Sequence, residues 1–378
     1  MRKLLSLVVV VSLLLTFFSS QGCVKKQEDV IKIGAILPLT GPSSVLGELH
    51  KFGIDMAVDE INQKGGINNK KLEIIYEDSK NESKTGIAVF NKLLNAKVPA
   101  IISTFSNVSV PLASYMGTKN SGDLPVLLTT ATSAPNITKL SPKVFRAFII
   151  STVESKEIAK FLIKKGYKNV AVYYVEDDYG KGAEVVLKKE FENKNDGRRV
   201  VYSEGYNIGQ TNHRTSITKM IAKNPEIIFI VGYDRDFASA IKQIKESGFK
   251  GDLVTTAPLS IPQNLKAAGN PNGIFLTASS YNTASTKELS EKFDLAFKKR
   301  YQKPSNYQSA STYLCVKLIA EAIKTNGYTS NSIKSGLLNI KDFPSPLGNI
   351  TITENREGSF PVVIKKTENG KVVDIKTE

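Results

Sequence analysis

The residues that could do chemistry lie in four short polar loops, each of which follows an apolar run. FSNVS follows AIIST, ATSAP follows PVLLTT, EDDYG follows NVAVYYV, and YDRD follows EIIFIVG. Helix capping by Ser, Thr and Asp would by itself explain any one of these loops. Open α/β sheets, however, bind ligands at the carboxyl ends of their strands, where hydroxyls and helix N–H groups favour a carboxylate or similar anion. Four such loops therefore predict a binding site for a small anion.

Signatures of catalysis are missing from the sequence. Metal catalysis requires clustered His, Cys and carboxylates, but the chain has two histidines, His50 and His213, and we expect each to be exposed or to cap a helix. The G-x-S-x-G and Walker A patterns are absent. In DDYGKGAEVV, Val185 stands where a dinucleotide-binding loop has its third glycine. We therefore expect no enzyme activity, no cofactor and no metal.

The loops need a framework of alternating strands and helices to bring them together. VIKIGAIL predicts a strand, and LGELHKFGIDMAVDEINQ predicts a helix that ends at Gly65 and Gly66. The same alternation continues along the chain, restarts after FRAFIIST and ends at GIFLTASS. Strands that alternate with helices predict βαβ units and a mainly parallel sheet, here in two serial units.

The remainder of the chain differs from these two units. Two long helices are predicted in KELSEKFDLAFKKRYQ and YQSASTYLCVKLIAEAIKT, followed by the shorter SIKSGLLN. A strand-rich tail is then predicted in SPLGNITIT, SFPVVIKK and KVVDIKT. A switch from helices back to strands, without a low-complexity linker, indicates two domains between which the chain crosses more than once.

The N-terminus has the layout of a signal peptide. Arg2 and Lys3 precede Leu4 to Phe18, a run of 15 residues without charge, which is short for a transmembrane helix of roughly 20 residues. Cys23 follows small residues and resembles the acylated cysteine of bacterial lipoproteins, although Ser20 stands where leucine is usual. We expect a signal peptide over residues 1–22 and a lipid-anchored tether over 23–29; the alternative is a secreted protein with an incidental thiol.

Composition predicts a globular protein of two ordinary domains, since the 378 residues are 41% hydrophobic. The formal charge of +15 suggests two kinds of acidic partner, nucleic acid or an acidic membrane surface. Lysines are, however, spread along the chain with acidic neighbours, so we expect no nucleic-acid partner. Cys315 has helical apolar neighbours and is predicted to be a core thiol, so no disulfide framework is available.

The ordered segments of the chain resemble one known family, the leucine/isoleucine/valine-binding proteins of ABC transporters. The resemblance spans nearly all of Ile31 to Lys366 and rests on IKIGAILPLTGPSSVLGE, DEINQKGGINNKKLEIIYED, ATSAP, VEDDYGKG and VGYDRDFASAIKQIKESG. It implies the type I periplasmic-binding fold: an α/β protein of two similar doubly wound lobes with mainly parallel sheets. Lobe 1 would comprise 30–147 plus 280–345 and lobe 2 148–279 plus 346–378.

The resemblance further implies three crossings between the lobes, with the ligand in the cleft between them. By matching elements, the crossings are expected near Phe145–Ser151, Thr277–Asn282 and Pro344–Asn349.

Site residues can be carried over from the family motif by motif. Ser106 and Asn107 would hold the ligand carboxylate, with the backbone of Ala131 and the hydroxyl of Ser133 nearby. The resemblance also implies that Leu46 contacts the side chain of the ligand and that Tyr179 and Tyr233 close over the ligand.

Two departures from the family pattern bear on the ligand. Asn107 stands where the family has serine, which leaves Ser106 as the nearest hydroxyl. Amino-acid binders also place an acid where this chain has TTAPLS, around Ala257. A buried ammonium without a countercharge costs several kcal/mol, and Asp178 or Asp234 could substitute. The ligand is thus either a branched-chain amino acid or an aliphatic or aromatic acid without the amine.

The function implied is an extracytoplasmic solute-binding lipoprotein of an ABC importer, bacterial and not enzymatic. Its partners would be the small ligand, a membrane permease, and the membrane itself through the lipid on Cys23. One alternative is a sensor of the same fold that reports ligand occupancy to a signalling partner. Another is a hydrolase that uses Ser106 or Ser133, for which the sequence offers no identifiable base.

Overall fold

Two β-sheets form the framework of the protein. The computed structural model describes residues 30–119, 124–193, 195–233, 235–281, 286–360 and 362–375. Its strands are β1 (Ile31–Leu37), β2 (Leu72–Asp78), β3 (Ala100–Thr104), β4 (Val126–Thr130), β5 (Val144–Arg146), β6 (Asn169–Val175), β7 (Arg199–Tyr206), β8 (Ile227–Val231), β9 (Asp252–Thr255), β10 (Phe275–Ser279), β11 (Val362–Glu368) and β12 (Lys371–Asp374).

The two sheets repeat one strand order. The first sheet has the order β2-β1-β3-β4-β5, and every pair in it is parallel. The second sheet contains the parallel run β7-β6-β8-β9-β10, which is the same order one unit later, and adds the antiparallel strands β11 and β12. The prediction of an α/β fold with two similar, doubly wound and mainly parallel sheets is confirmed.

The central strands explain why these apolar runs fold as strands. All five residues of β3, β4 and β8 are buried, and their sequences AIIST, VLLTT and IIFIV are almost continuously apolar or β-branched. Strands of a parallel sheet that is covered on both faces have this composition, because neither face meets water. The outer strand β2, by contrast, is mostly half-buried.

Eleven α-helices are described alongside these strands. They are α1 (Ser44–Gln63), α2 (Ser83–Asn95), α3 (Ser106–Gly117), α4 (Ser151–Lys165), α5 (Asp178–Phe191), α6 (Arg214–Ile221), α7 (Arg235–Glu246), α8 (Pro262–Ala267), α9 (Lys287–Tyr301), α10 (Tyr307–Asn326) and α11 (Ser330–Leu338). Helix α10 packs against α1 although they are far apart in sequence. Gly53 permits their close approach, because a Cβ there would lie 2.1 Å from the carbonyl oxygen of Ser309.

The ends of the chain segments that link the sheets are tied together by polar contacts. The Arg146 guanidinium at the end of β5 makes two hydrogen bonds to the Glu357 carboxylate, of 2.6 and 2.8 Å. Beyond β10, the hydroxyl of Ser280 donates to the carbonyl of Leu347 in a bond of 2.5 Å. The division into two lobes at the boundaries given above stays a prediction.

One local prediction fails in the tail. SPLGNITIT was expected to form a strand, but it contains only isolated bridges, from Ile350 to Phe343 and from Ile352 to Gly358. Pro346 and the positive φ of Gly348 interrupt extended pairing there.

Cys315 is fully buried, as predicted, and burial raises the pKa of its thiol to about 12. Within the described ranges, none of the helices has the length and apolar character needed to cross a bilayer.

Candidate ligand-binding site

The loops after β3 and β4 each begin with an unusual backbone conformation. Phe105 adopts φ 64° and ψ 138° between β3 and α3, and Ala131 adopts φ 48° directly after β4. Residues with a Cβ rarely occupy positive φ, and such strain persists where the surrounding structure fixes it, often at ligand sites. Both residues line the same cavity.

The cavity draws its walls from the carboxyl ends of strands in both sheets. The space between its atoms is about 420 Å³. The lining residues are Phe105, Ser106, Ala131, Ser133, Phe148, Ile149, Glu154, Tyr179, Tyr233, Ala257, Pro258, Tyr307 and Gln308.

Five of the seven predicted ligand contacts come together in this cavity. They are Ser106, Ala131, Ser133, Tyr179 and Tyr233. The other two do not line it. Leu46 is packed into the apolar core with 2% of its surface exposed. The side-chain amide of Asn107 donates to the backbone carbonyl of Asn81 at 2.5 Å, and the backbone carbonyl of Asn107 accepts from the Ser83 hydroxyl.

Part of the cavity lining presents hydrogen-bond donors. The hydroxyl oxygen of Ser106 accepts from the N–H of Ala134 at 3.2 Å, so its own proton stays available. Ser106 also begins α3, where the N–H groups of Val108 and Ser109 donate to the carbonyl of Phe105 and those of Ser106 and Asn107 precede the first bonds of the helix. Together with the positive end of the helix dipole, these donors suit a carboxylate.

Aromatic rings close the sides of the cavity. The rings of Phe105, after β3, and Tyr233, after β8, lie 5.6 Å apart, and Tyr179 lies 6.1 Å from Tyr233. The Tyr179 hydroxyl donates to Thr256 at 2.7 Å, and that of Tyr233 donates to Asp177 at 2.9 Å. Because both hydroxyls are engaged elsewhere, these side chains offer the cavity mainly their rings, which suits an apolar ligand side chain.

Glu154 is a cavity residue that sequence reasoning missed. It lies in the first turn of α4 and is 2% exposed. Its Oε1 accepts from the Thr277 hydroxyl at 2.7 Å and from the N–H of Ala257 at 3.4 Å. Burial raises the pKa of its carboxyl to about 7, against the lowering effect of these two hydrogen bonds.

The helical spacing of α4 contains the signal that would have found Glu154. The buried apolar residues Ile158, Ala159 and Leu162 define the inner face of this helix. Glu154 precedes Ile158 by four residues and therefore lies on the same face. A carboxylate on an otherwise buried stripe is unusual and needs a partner.

Of the two predicted ammonium partners, Asp178 is the one within the described residues, and it does not line this cavity. It is exposed at the start of α5 and lines a different pocket together with Lys181. Asp234 lies outside the described residues, as does the predicted lipidation site Cys23.

Both histidines were expected to be exposed or to cap helices, and both are buried instead. His50 packs edge-on against Phe105, with ring centroids 5.5 Å apart, and burial lowers its pKa to about 3. His213 is the residue before α6, but its side chain makes no cap bond there. Its Nδ1 lies 2.8 Å from the Tyr173 hydroxyl. His50 is covered because α10 packs over α1, a long-range contact that helical periodicity does not reveal.

The two cavity serines lack the arrangement of a nucleophile. A serine nucleophile hydrogen-bonds to a base that takes its proton. Ser133 donates instead to the carbonyl of Ile149 at 2.6 Å, and Ser106 has a backbone N–H as its partner. Neither oxygen is hydrogen-bonded to a His, Asp or Glu in the described part of the chain.

Comparison with known proteins agrees with this geometry. The family model for periplasmic binding proteins matches residues 30–371. A leucine-, isoleucine-, valine-, threonine- and alanine-binding protein from Pseudomonas aeruginosa is 26% identical over 329 residues, covering 86% of each chain. The leucine-binding protein LivK from Thermotoga maritima superposes with a TM-score of 0.83 at 25% identity, covering 91% of this chain and 97% of that one.

A solute-binding protein from R. palustris in complex with benzoate has the same fold. Its TM-score is 0.81 at 17% identity, with 92% of this chain and 95% of that chain covered. The fold alone therefore does not select the ligand.

The matched family model covers most of the chain. The family consists of transport substrate-binding proteins rather than enzymes and acts outside the cytoplasm. The chain thus belongs to the periplasmic binding protein family.

Proposed function

We propose that this chain is the solute-binding lipoprotein of an ABC importer and captures a small amino acid or related carboxylate. The observation that carries the proposal is the cavity whose walls come from strand ends of both sheets. Small-molecule sites in proteins combine apolar walls with a few polar groups. The lining of this cavity combines the two, with Phe105 and Pro258 beside Ser106 and Glu154.

Capture would work by closure around the ligand. A ligand that contacts Ser106 on one side and Tyr179 and Tyr233 on the other stabilises the closed arrangement relative to an open one. The permease would then recognise the closed form. Hinge closure is the type of motion that suits two sheets joined by several chain segments.

The ligand class follows from the donors in the cavity lining and from the relatives. The Pseudomonas aeruginosa protein is named for five amino acids, and the R. palustris protein was solved with benzoate. All of these ligands carry a carboxylate. In this chain the first turn of α3 with Ser106 would hold that group.

Anchoring would keep the protein near its permease. Two acyl chains on Cys23 would attach it stably, where one chain holds only marginally. We expect Cys23→Ser to release the protein from the membrane fraction into the soluble extracytoplasmic fraction. Membrane fractionation of cells that express either form measures this, and a variant that stays membrane-bound would contradict the anchor.

A thermal-shift screen tests the binding function. The purified protein, stripped of bound ligand, is screened against branched-chain and other amino acids, their deaminated acids and benzoate. A ligand at about 1,000 times its Kd stabilises the folded state by about 4 kcal/mol, which moves the midpoint by several degrees. A shift by any of these carboxylates supports the proposal, whereas a flat panel at millimolar concentration would argue against it.

A further inference from the structure

The cavity contains a carboxylate that has no countercharge. Glu154 is 2% exposed and forms no ion pair with any described residue. Its two hydrogen bonds, from Thr277 and the N–H of Ala257, both go to Oε1. No hydrogen bond to its Oε2 is formed within the described ranges. A buried carboxylate with unused acceptor capacity is costly in the free protein.

Two further acceptors line the same cavity. Gln308 is 2% exposed, and its buried Oε1 has no hydrogen-bond partner in the described structure, while its Nε2 donates to the Tyr307 hydroxyl at 3.1 Å. The Ser133 hydroxyl donates to the carbonyl of Ile149 and so can only accept from a ligand. An ammonium group has three donors and no acceptor. The three acceptors match that requirement in number and chemistry.

We propose that Glu154 is the countercharge for the α-ammonium of the ligand, so that this chain selects α-amino acids over acids that lack the amine. The inference deepens the proposed function and rests on it. Glu154 would replace the acid that the resemblance places near Ala257, since the N–H of Ala257 itself donates to Glu154. The acidic group thus reaches that part of the cavity from α4 rather than from the loop after β9.

The two kinds of polar group in the cavity lining then match a zwitterion. Donors at Ser106 would receive the carboxylate, and acceptors at Glu154 and Gln308 would receive the ammonium. An amine-free acid leaves both acceptors unpaired and brings a second anion into the cavity. Sites built to pair a polar group of the substrate reject analogues that lack it far more strongly than apolar sites reject a change of size.

Calorimetric titration with L-leucine and 4-methylpentanoate, which differ only in the amine, tests the inference. We expect the stripped wild-type protein to bind L-leucine at least about a hundredfold more tightly. In Glu154→Gln, which keeps an oxygen to accept from Thr277, L-leucine should lose at least about tenfold in affinity, while 4-methylpentanoate should lose none. Glu288→Gln, which changes an exposed glutamate in the first turn of α9, is the matched control and should leave both affinities unchanged.

The outcomes separate the inference from the proposed function. Equal or tighter binding of 4-methylpentanoate by the wild-type protein overturns the inference but supports a carboxylate receptor. Unchanged L-leucine affinity in a folded Glu154→Gln protein also overturns it. If neither compound nor any other carboxylate of the screen binds, the proposed function fails and the inference fails with it. Should Glu154→Gln not fold, the wild-type ratio of the two affinities decides.

Discussion

At the scale of single residues, the cavity separates its polar groups by their hydrogen-bonding role. Ser106 and the first turn of α3 offer donors, whereas Glu154 and the Oε1 of Gln308 offer acceptors. Each group is buried, so each loses water without gaining a full set of protein partners. The free protein therefore has a cost that a complementary ligand would remove, and under the proposed function the affinity and the selectivity would arise from the same groups.

Ser106→Ala should weaken binding of any carboxylate ligand by about 1 to 2 kcal/mol, because it removes a buried donor. Titration calorimetry with the ligand found in the screen measures the change. Ser114→Ala, on the exposed side of the same helix, is the control and should have no effect. An unchanged affinity in Ser106→Ala would show that the carboxylate is held elsewhere.

The raised pKa of Glu154 predicts a dependence of stability on pH. Its folded pKa of about 7 exceeds the ordinary value of 4.5. The folded state therefore holds the proton more tightly. This contribution to stability is fully present below pH 4.5 and is lost as the pH rises through 7, with a magnitude on the order of 3 kcal/mol.

Glu154→Gln should remove this dependence. Urea unfolding of the two ligand-free proteins measures the difference in unfolding free energy, variant minus wild type. We expect this difference to be more positive at pH 8 than at pH 4.5. The low pKa of His50 contributes equally to the pH dependence of stability in both proteins, so its effect cancels in the comparison. Equal pH profiles for the two proteins would contradict the buried, uncompensated carboxylate.

Local sequence could predict only part of this site. Three cavity residues come shortly after strands: Ser106, Ala131 and Ser133. A correct prediction of where the strands end therefore also predicts where these residues lie. Glu154 depends on Thr277 and Ala257, which are 123 and 103 residues away in the chain. No local pattern reports that these groups meet, although the buried face of α4 indicates that the glutamate points inward.

At the scale of elements, the contact between α1 and α10 depends on one glycine. A Cβ at Gly53 would lie 2.1 Å from the carbonyl oxygen of Ser309 and 2.5 Å from the hydroxyl oxygen of Thr312. That hydroxyl also donates to the carbonyl of His50 at 2.8 Å. The two helices can keep this separation only if the position has no side chain.

Gly53→Ala should therefore destabilise the protein, although alanine is the better helix former by about 1 kcal/mol. We expect a net loss of about 2 kcal/mol or more, since overpacking forces the helices apart. Chemical denaturation measures the loss. Gln63→Ala, at the exposed end of the same helix, should change stability little, and a stabilised Gly53→Ala protein would refute the close approach.

The elements themselves were largely predictable, because their apolar periodicity is strong. IKIGAIL forms β1 as predicted, and the predicted first helix corresponds to α1. Predictions failed where pairing depends on distant partners. SPLGNITIT has the composition of a strand, yet its isoleucines form only isolated bridges. The burial of His50 likewise results from α10, more than 250 residues further along the chain.

At the scale of the whole molecule, a buried ion pair joins segments that are 211 residues apart. Arg146 is 1% exposed and is held by Glu357 through two hydrogen bonds. Its guanidinium also donates to the carbonyl of Ala134. The pair thus ties the end of the first sheet to the chain that returns toward the second.

Glu357→Gln should cost roughly 3 kcal/mol or more, because it leaves the Arg146 charge buried without a counterion. Urea unfolding at neutral pH measures the loss. Glu354→Gln removes an exposed carboxylate three residues earlier and should cost less than about 1 kcal/mol. Similar losses in the two variants would mean that the charge of Arg146 is compensated by other groups.

The added hairpin of β11 and β12 has a consequence for how the protein behaves at high concentration. Without it, β10 would be the outermost strand, with a row of unpaired backbone groups open to another chain. In the described residues the outermost strand is instead β12, which has four residues and carries Lys371 and Asp374. Short, charged outer strands discourage edge-to-edge association. The tail should therefore protect the folded protein against aggregation, and a chain shortened before Val362 should self-associate through β10.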